Sequence, residues 1–394
     1  MGPLSGLRVV EIAGIGPGPF CALMLSDLGA EVLRVDRASE VDLPGVADSP
    51  DRLLKRGRRS LAVDLKRADG QAAVRRLAAR ADVFVESFRP GVAERLGIGP
   101  ERCLAENPAL VYGRMTGWGQ TGSDAQRAGH DINYVATTGV LGALGGPEQP
   151  PPPPLNLIGD FGGGGMLLAV GVLAALHEVR RSGHGQVIDA AMADGAALLA
   201  TMFYGMRDMG QWSDARATNL LDGGAPFYGT YETADGKYVS VGAIEPQFYA
   251  SLLQVLGIDD DVPGEQMDVV SWPAMKQRIA AAFATRTRAQ WSEAMDGAEA
   301  CFAPVLSFDE AREYAPNLQR ERFVEHDGYV QPAPAPRFSR TPAAIAAPPP
   351  LPGQHSRAAL SEWGFADAQI DALLASGAVR AASAEEHRPA RAGP

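Results

Sequence analysis

The sequence predicts an α/β fold, in which a helix-covered parallel sheet is joined to a smaller α+β domain. Two observations carry that prediction. Over the first ~190 of 394 residues, short β-branched apolar runs alternate with longer runs of helical periodicity, the pattern of a βαβ chain. Beyond residue 222 the pattern changes to a hairpin followed by helices.

Taken in order, "LRVVEIAG" reads as a buried strand, "FCALMLSDLGA" as an apolar-faced helix ending at Gly29, and "EVLRVD" as a second strand. The strand-like "SLAVDL", "DVFVES" and "LVYGRMTG" then alternate with the helix-like "DGQAAVRRLAARA" and "GVAERLG". Sheets of this kind bind ligands beyond the carboxyl ends of their strands. The segment "EQPPPPPLNLIGD" cannot be regular structure, because proline lacks the N–H that a helix or sheet interior needs, and it should lie on the surface or line a cleft. An apolar helix follows over 166–181. "APFYGTYETADGKYVSVGA" reads as a hairpin turning at Asp235–Gly236. The helical "EPQFYASLLQVLG", "WPAMKQRIAAAFATR" and "AQWSEAMDGAEA" come next, and then the strand "CFAPVLSF". These elements place the first part of a large domain at 1–200 and a small domain at 222–325. The proline-rich run that follows should be extended, and 381–394 reads as a disordered tail.

Composition excludes several functions. A net charge of −11 leaves no overall basic excess for neutralising phosphates, so nucleic acid is not an expected partner. Three widely spaced cysteines, Cys21, Cys103 and Cys301, form neither a disulfide framework nor a CxxC metal site, which points to a reducing, cytoplasmic setting. The N-terminus lacks the pattern of a signal peptide, "PARAGP" is not a peroxisomal address, and "MLLAVGVLAALH" is too short to span a bilayer; no membrane partner is expected. The turn "EIAGIGPGPF" imitates a dinucleotide fingerprint but has Pro19 where the third glycine belongs, and reads as a sharp βα turn. No Walker A loop, HExxH or GxSxG occurs, and the six histidines do not cluster, so neither a metal nor a cofactor is expected.

Three titratable residues in unusual settings remain: His130 in "AGHDINY", Asp160 in "NLIGDFGGGG" and Glu245 in "GAIEPQFY". Four consecutive glycines, Gly162 to Gly165, cost conformational entropy where a helix should begin. Either a ligand approaches that backbone, or a neighbouring element packs closely on it.

Together with "RVVEIAGIGPGP", "DLGAEVLRVDR", "ESFRPGVAERLG", "RMTGWGQTG" and "GQVIDAAMADG", these motifs resemble the α-methylacyl-CoA racemases of the family III CoA-transferase (CaiB/BaiF-like) superfamily, over residues ~4 to 345. The resemblance implies a Rossmann-like large domain, completed by a C-terminal segment at 326–380, and an interlocked homodimer. It also implies interconversion of (R)- and (S)-2-methylacyl-CoA by two bases, with His130 taking the proton of the S form and Asp160 that of the R form. Removing an α-proton and returning one to the opposite face does call for two acid/base groups. By the same resemblance Glu245 steadies His130, and Tyr134 is expected to hold Asp160. Gly162 and Gly163 at a helix N-terminus would meet the enolate.

The acyl-CoA substrate is expected to contact Arg37, Lys66, Ser87, Arg89, Arg95, Gly129, Asp131 and Tyr134, with the basic run Lys55, Arg56, Arg58 and Arg59 as further phosphate candidates. Met202, Phe203, Met206 and Met209 form either an adaptable acyl surface or an ordinary core stripe. The rival reading is a CoA-transferase that uses Asp160 as a nucleophile. His130 argues against it, since a two-base racemase needs a histidine there and the transferases associated with this fold lack one. A non-catalytic acyl-CoA-binding protein would have no use for the three residues together.

Overall fold

A computed structural model describes residues 2–46, 49–260 and 263–383, so the tail expected from 381 lies, from residue 384 on, outside the described residues. The chain divides into two compact units. The first comprises Met1–Thr138, Leu155–Leu199 and the chain from Arg322 onward; the second comprises Gly139–Pro154 and Ala200–Glu321.

The first unit is built on a seven-stranded sheet. Its strands are β1 (Arg8–Ile12), β2 (Glu31–Arg37), β3 (Arg59–Val63), β4 (Val83–Glu86), β5 (Val111–Thr116), β6 (Val187–Ala191) and a C-terminal strand, Val379–Arg380. From the C-terminal strand the order runs β3-β2-β1-β4-β5-β6. All pairs are parallel except that of the C-terminal strand with β3. Parallel strands need helical crossovers, supplied by α1 (Pro17–Asp27), α2 (Ala68–Ala78), α3 (Val92–Arg95), α4 (Pro100–Glu106) and α5 (Asp131–Ala136). The central strands carry apolar side chains on both faces, Val10, Leu33, Leu61 and Phe84 packing one layer and Val9, Val32, Val85 and Val111 the other, with the buried charges Glu11, Arg34, Asp36, Glu86 and Arg114 set among them.

Between β5 and β6 runs one continuous helix. Residues Leu157–Met166 wind as a wide π-helix and continue as α6 (Leu167–Ser182). The helix expected from 166 therefore starts nine residues earlier and takes in the glycines. Length and composition alone would let Leu157–Ser182 cross a membrane. Its glycines pack instead on α1 and on α7 (Met192–Leu199).

The second unit carries α8 (Thr201–Asp208) and an antiparallel sheet of β7 (Tyr228–Glu232), β8 (Tyr238–Gly242) and β9 (Phe302–Pro304). The hairpin turns where expected, with Gly236 at φ +69°. Helices α9 (Pro246–Leu256), α10 (Trp272–Phe283) and α11 (Arg288–Ala294) enclose an aromatic core of Phe227, Tyr231, Phe283 and Trp291. The segment Gly139–Pro154 belongs to this unit, which sequence periodicity did not foresee.

Candidate active site

The strand order reverses between β1 and β4, where crossovers leave the sheet in opposite directions and the loops part to form a crevice. A cavity of about 480 Å³ lies there. Ile15, Gly16 and Pro17 after β1, Ser87 to Pro90 after β4, and Thr116 at the end of β5 with Gly117 and Trp118 beyond it line the cavity. His130, Tyr134, Asn156, Asp160 and Phe161 also line it, so sheet topology gathers His130 and Asp160 beside one space.

Asp160 is held on several sides. Asn156, one turn earlier, donates its amide N–H to Asp160 Oδ2 at 3.0 Å, and the Asp160 backbone N–H donates to Asp131 Oδ1 at 2.7 Å. Gly16, at φ +67°, lies so close that a Cβ there would stand 2.9 Å from Asp160 Oδ2. Burial raises the proton affinity of the carboxyl above the ordinary aspartate value, and the Asp131 charge adds to it; the Asn156 hydrogen bond and the His130 charge oppose. His130 is exposed and caps α5, its backbone N–H donating to Asn133 Oδ1 at 3.1 Å.

The glycine run does not serve as an anion site at a helix N-terminus, because the helix begins at Leu157 and Gly162 to Gly165 lie inside it. A Cβ on Gly163 would stand 2.7 Å from the Ala196 N, and one on Gly165 2.6 Å from the Pro17 O. Close helix packing accounts for Gly163 and Gly165, and neither Gly162 nor Gly163 lines the cavity, contrary to their expected contact with substrate. That packing brings Asp160 and Phe161 to the cavity, the latter ring 4.7 Å from Phe20.

Other expectations are corrected too. Tyr134 does not hold Asp160: its hydroxyl donates to the Gly129 carbonyl, and its ring meets Trp118 edge-on at 4.8 Å. Asp131 is buried behind Asp160 and does not line the cavity. Arg56 and Arg58 are unavailable to phosphate. Arg56 pairs with Asp27 at 2.6 Å, and the fully buried Arg58 pairs with Glu11 at 3.1 Å. Lys55 pairs with Asp51 at 3.0 Å, and Arg59 pairs with Glu362. Ser87, Arg89 and Gly129 do line the cavity. Arg37, which ends β2, and Lys66, just beyond β3, are exposed at the same carboxyl edge of the sheet, and Arg95 is exposed on α3. Glu245 belongs to the second unit, at the N-cap of α9.

Sequence reasoning missed Asn156, Trp118 and Arg127. Asn156 was legible in principle, since four residues is one helical turn from Asp160. Trp118, whose buried Nε1 lacks a hydrogen-bond partner, and the exposed Arg127 gave no such signal. Among the described residues no group of three or more His, Cys, Asp or Glu could hold a metal ion.

The chain is 48% identical over 369 residues to the α-methylacyl-CoA racemase of Mus musculus, covering 93% of this chain and 95% of that one. Against the Homo sapiens protein of the same name it is 45% identical over 385 residues, covering 96% and 99%. The crystal structure of a CaiB/BaiF family protein from Brucella suis superposes with a TM-score of 0.79 at 25% identity, covering 92% of this chain and 99% of that chain. The family model for CoA-transferase family III matches residues 4–356, and the chain belongs to that family.

Proposed function

We propose that this protein is an α-methylacyl-CoA racemase, interconverting (R)- and (S)-2-methylacyl-CoA. The observation that carries the reading is the pair His130 and Asp160 on one cavity at the strand switch point, in a chain close to half identical to two racemases. One of the two takes the α-proton, and the C–H electron pair moves into the enolate of the thioester. The other returns a proton to the opposite face of the α-carbon, so nothing is consumed or oxidised. The raised proton affinity of Asp160 suits it to give as well as take a proton. Arg37, Lys66, Arg89 and Arg95 are placed in contact with the coenzyme A portion in this reading, and no cofactor beyond that portion of the substrate takes part.

The working enzyme is a homodimer in this reading, with Glu245 of the partner subunit steadying His130. Support comes from the apolar side chains that the first unit leaves exposed, Met166, Val170, Leu173, Leu198 and Leu199 among them. We place the enzyme in the cytoplasm. The test is to give the protein single enantiomers of a 2-methylacyl-CoA in D₂O, with no free carboxylic acid. Racemisation with deuterium incorporation supports the racemase. Turnover only on adding a second carboxylate would establish the family III CoA-transferase alternative, in which Asp160 forms an acyl anhydride.

A further inference from the structure

We infer that Asp131 is a positioning residue that couples the two proton-transfer groups, its backbone following directly on His130 and its carboxylate gripping the backbone N–H of Asp160. The inference rests on the racemase reading and assigns a role to a side chain that the substrate does not meet.

Asp131 is 6% exposed, and Oδ1 accepts the Asp160 N–H at 2.7 Å. The other oxygen, Oδ2, is buried without a hydrogen-bond partner. A carboxylate buried with so little hydrogen bonding is costly, and fold stability gives no reason to keep it. The chain makes room for it, since a Cβ on Gly159 would stand 2.6 Å from Oδ1. Two consequences follow. The spacing of His130 and Asp160 is fixed through one residue rather than through two independent loops. A negative charge behind Asp160 also favours its protonated form, as like charges do.

That charge acts against the Asn156 hydrogen bond and the His130 charge, and Asp51, also on the cavity, is paired with Lys55. Helices α1 and α7 present uncharged Gly16, Pro17, Met192 and Gly195 to the Asp160 segment. Strands β5 and β6 carry Arg114, paired with Glu86 and Glu94, and Asp189, which accepts the Gln120 N–H. From α5 and its cap come Tyr134, His130 and Asp131, while Arg89 and Arg127 line the cavity more openly.

Asp131→Asn tests this, because the amide oxygen still accepts the Asp160 N–H while the charge is lost. The full chain, labelled with ¹³C in its aspartate carboxyls, is titrated by NMR, with Asp160→Asn identifying the Asp160 signal. We expect the Asp160 midpoint to fall in Asp131→Asn by more than about 0.2 pH unit, and the corresponding limb of the pH profile of α-proton exchange to move with it. Asp131→Ala, which also loses the grip, should cut exchange by about 10²-fold, as a misplaced catalytic group does. A midpoint within about 0.2 unit of wild type overturns the inference, whether or not Asp131→Ala folds. If the wild type exchanges no α-proton, the racemase reading falls, and the NMR midpoint still decides the role of Asp131.

Discussion

Asp160 and His130 face one cavity from walls of different character. Asp160 rides on a long helix locked by glycine packing, with Asn156, Asp131 and Gly16 closing around its carboxyl. His130 stands exposed at the cap of a six-residue helix. The first group is fixed by its own chain, which sets both its position and its proton affinity. The second is placed by its helix cap, the Asn133 side chain accepting its backbone N–H, and its exposed imidazole is left to a partner, the role we give to Glu245. In the proposed reading, proton transfer by two groups draws on one side chain that is built in and one that Glu245 of the partner subunit completes.

The comparison can be broken at either wall. The largest effect is expected from His130→Ala and Asp160→Ala, each lowering racemisation by about 10²- to 10⁴-fold. A His130→Ala enzyme within about threefold of wild type would make that residue structural. Next, mixing inactive His130→Ala and Glu245→Gln dimers under subunit exchange should restore up to about a quarter of the wild-type activity, because one site of each hybrid is then intact. No recovery would place Glu245 in the same subunit as the histidine it serves, or nowhere near it.

Smaller effects sharpen the contrast. Arg89→Ala should raise KM for acyl-CoA by about tenfold with little change in kcat, as expected for lost binding common to substrate and transition state. An unchanged KM would make Arg89 a solvated surface charge. Asp160→Asn concerns stability. A carboxyl whose proton affinity is raised by folding binds its proton in the folded state over a pH window where the unfolded chain has lost it, so stability falls as pH rises through that window. The amide does not titrate. Its melting temperature should therefore exceed that of wild type at neutral pH, with the gap closing below the ordinary aspartate range; a constant gap would contradict the assigned shift.

Much of the parallel sheet could be read from the chain, because β-branched runs and helical periods alternate as βαβ units must. The hairpin at Asp235–Gly236 was legible for a similar local reason. What failed was whatever depended on distant partners. Arg56 and Arg58 look like a phosphate-binding run in sequence, and only folding brings Asp27 and Glu11 to them. The four glycines look like a helix start, yet the packing that requires the last three comes from Pro17, 148 residues before Gly165, and from Gly195 and Ala196 beyond them. His130 and Asp160, which share one cavity, are legible as candidates through motif context. Asp131 was read as a substrate contact because sequence places it beside His130 and says nothing of which way its carboxylate turns.

The measurement that tests the two-group account most directly is single-turnover wash-out of α-deuterium from each enantiomer of a 2-methylacyl-CoA by His130→Ala and Asp160→Ala. Abstraction and return of a proton on one face need only one group. The account therefore predicts that each variant, though dead as a racemase, exchanges the deuterium of one enantiomer: His130→Ala that of the R form, through Asp160, and Asp160→Ala that of the S form, through His130. Loss of exchange for both enantiomers in both variants, or equal exchange of both enantiomers by one variant, would contradict it.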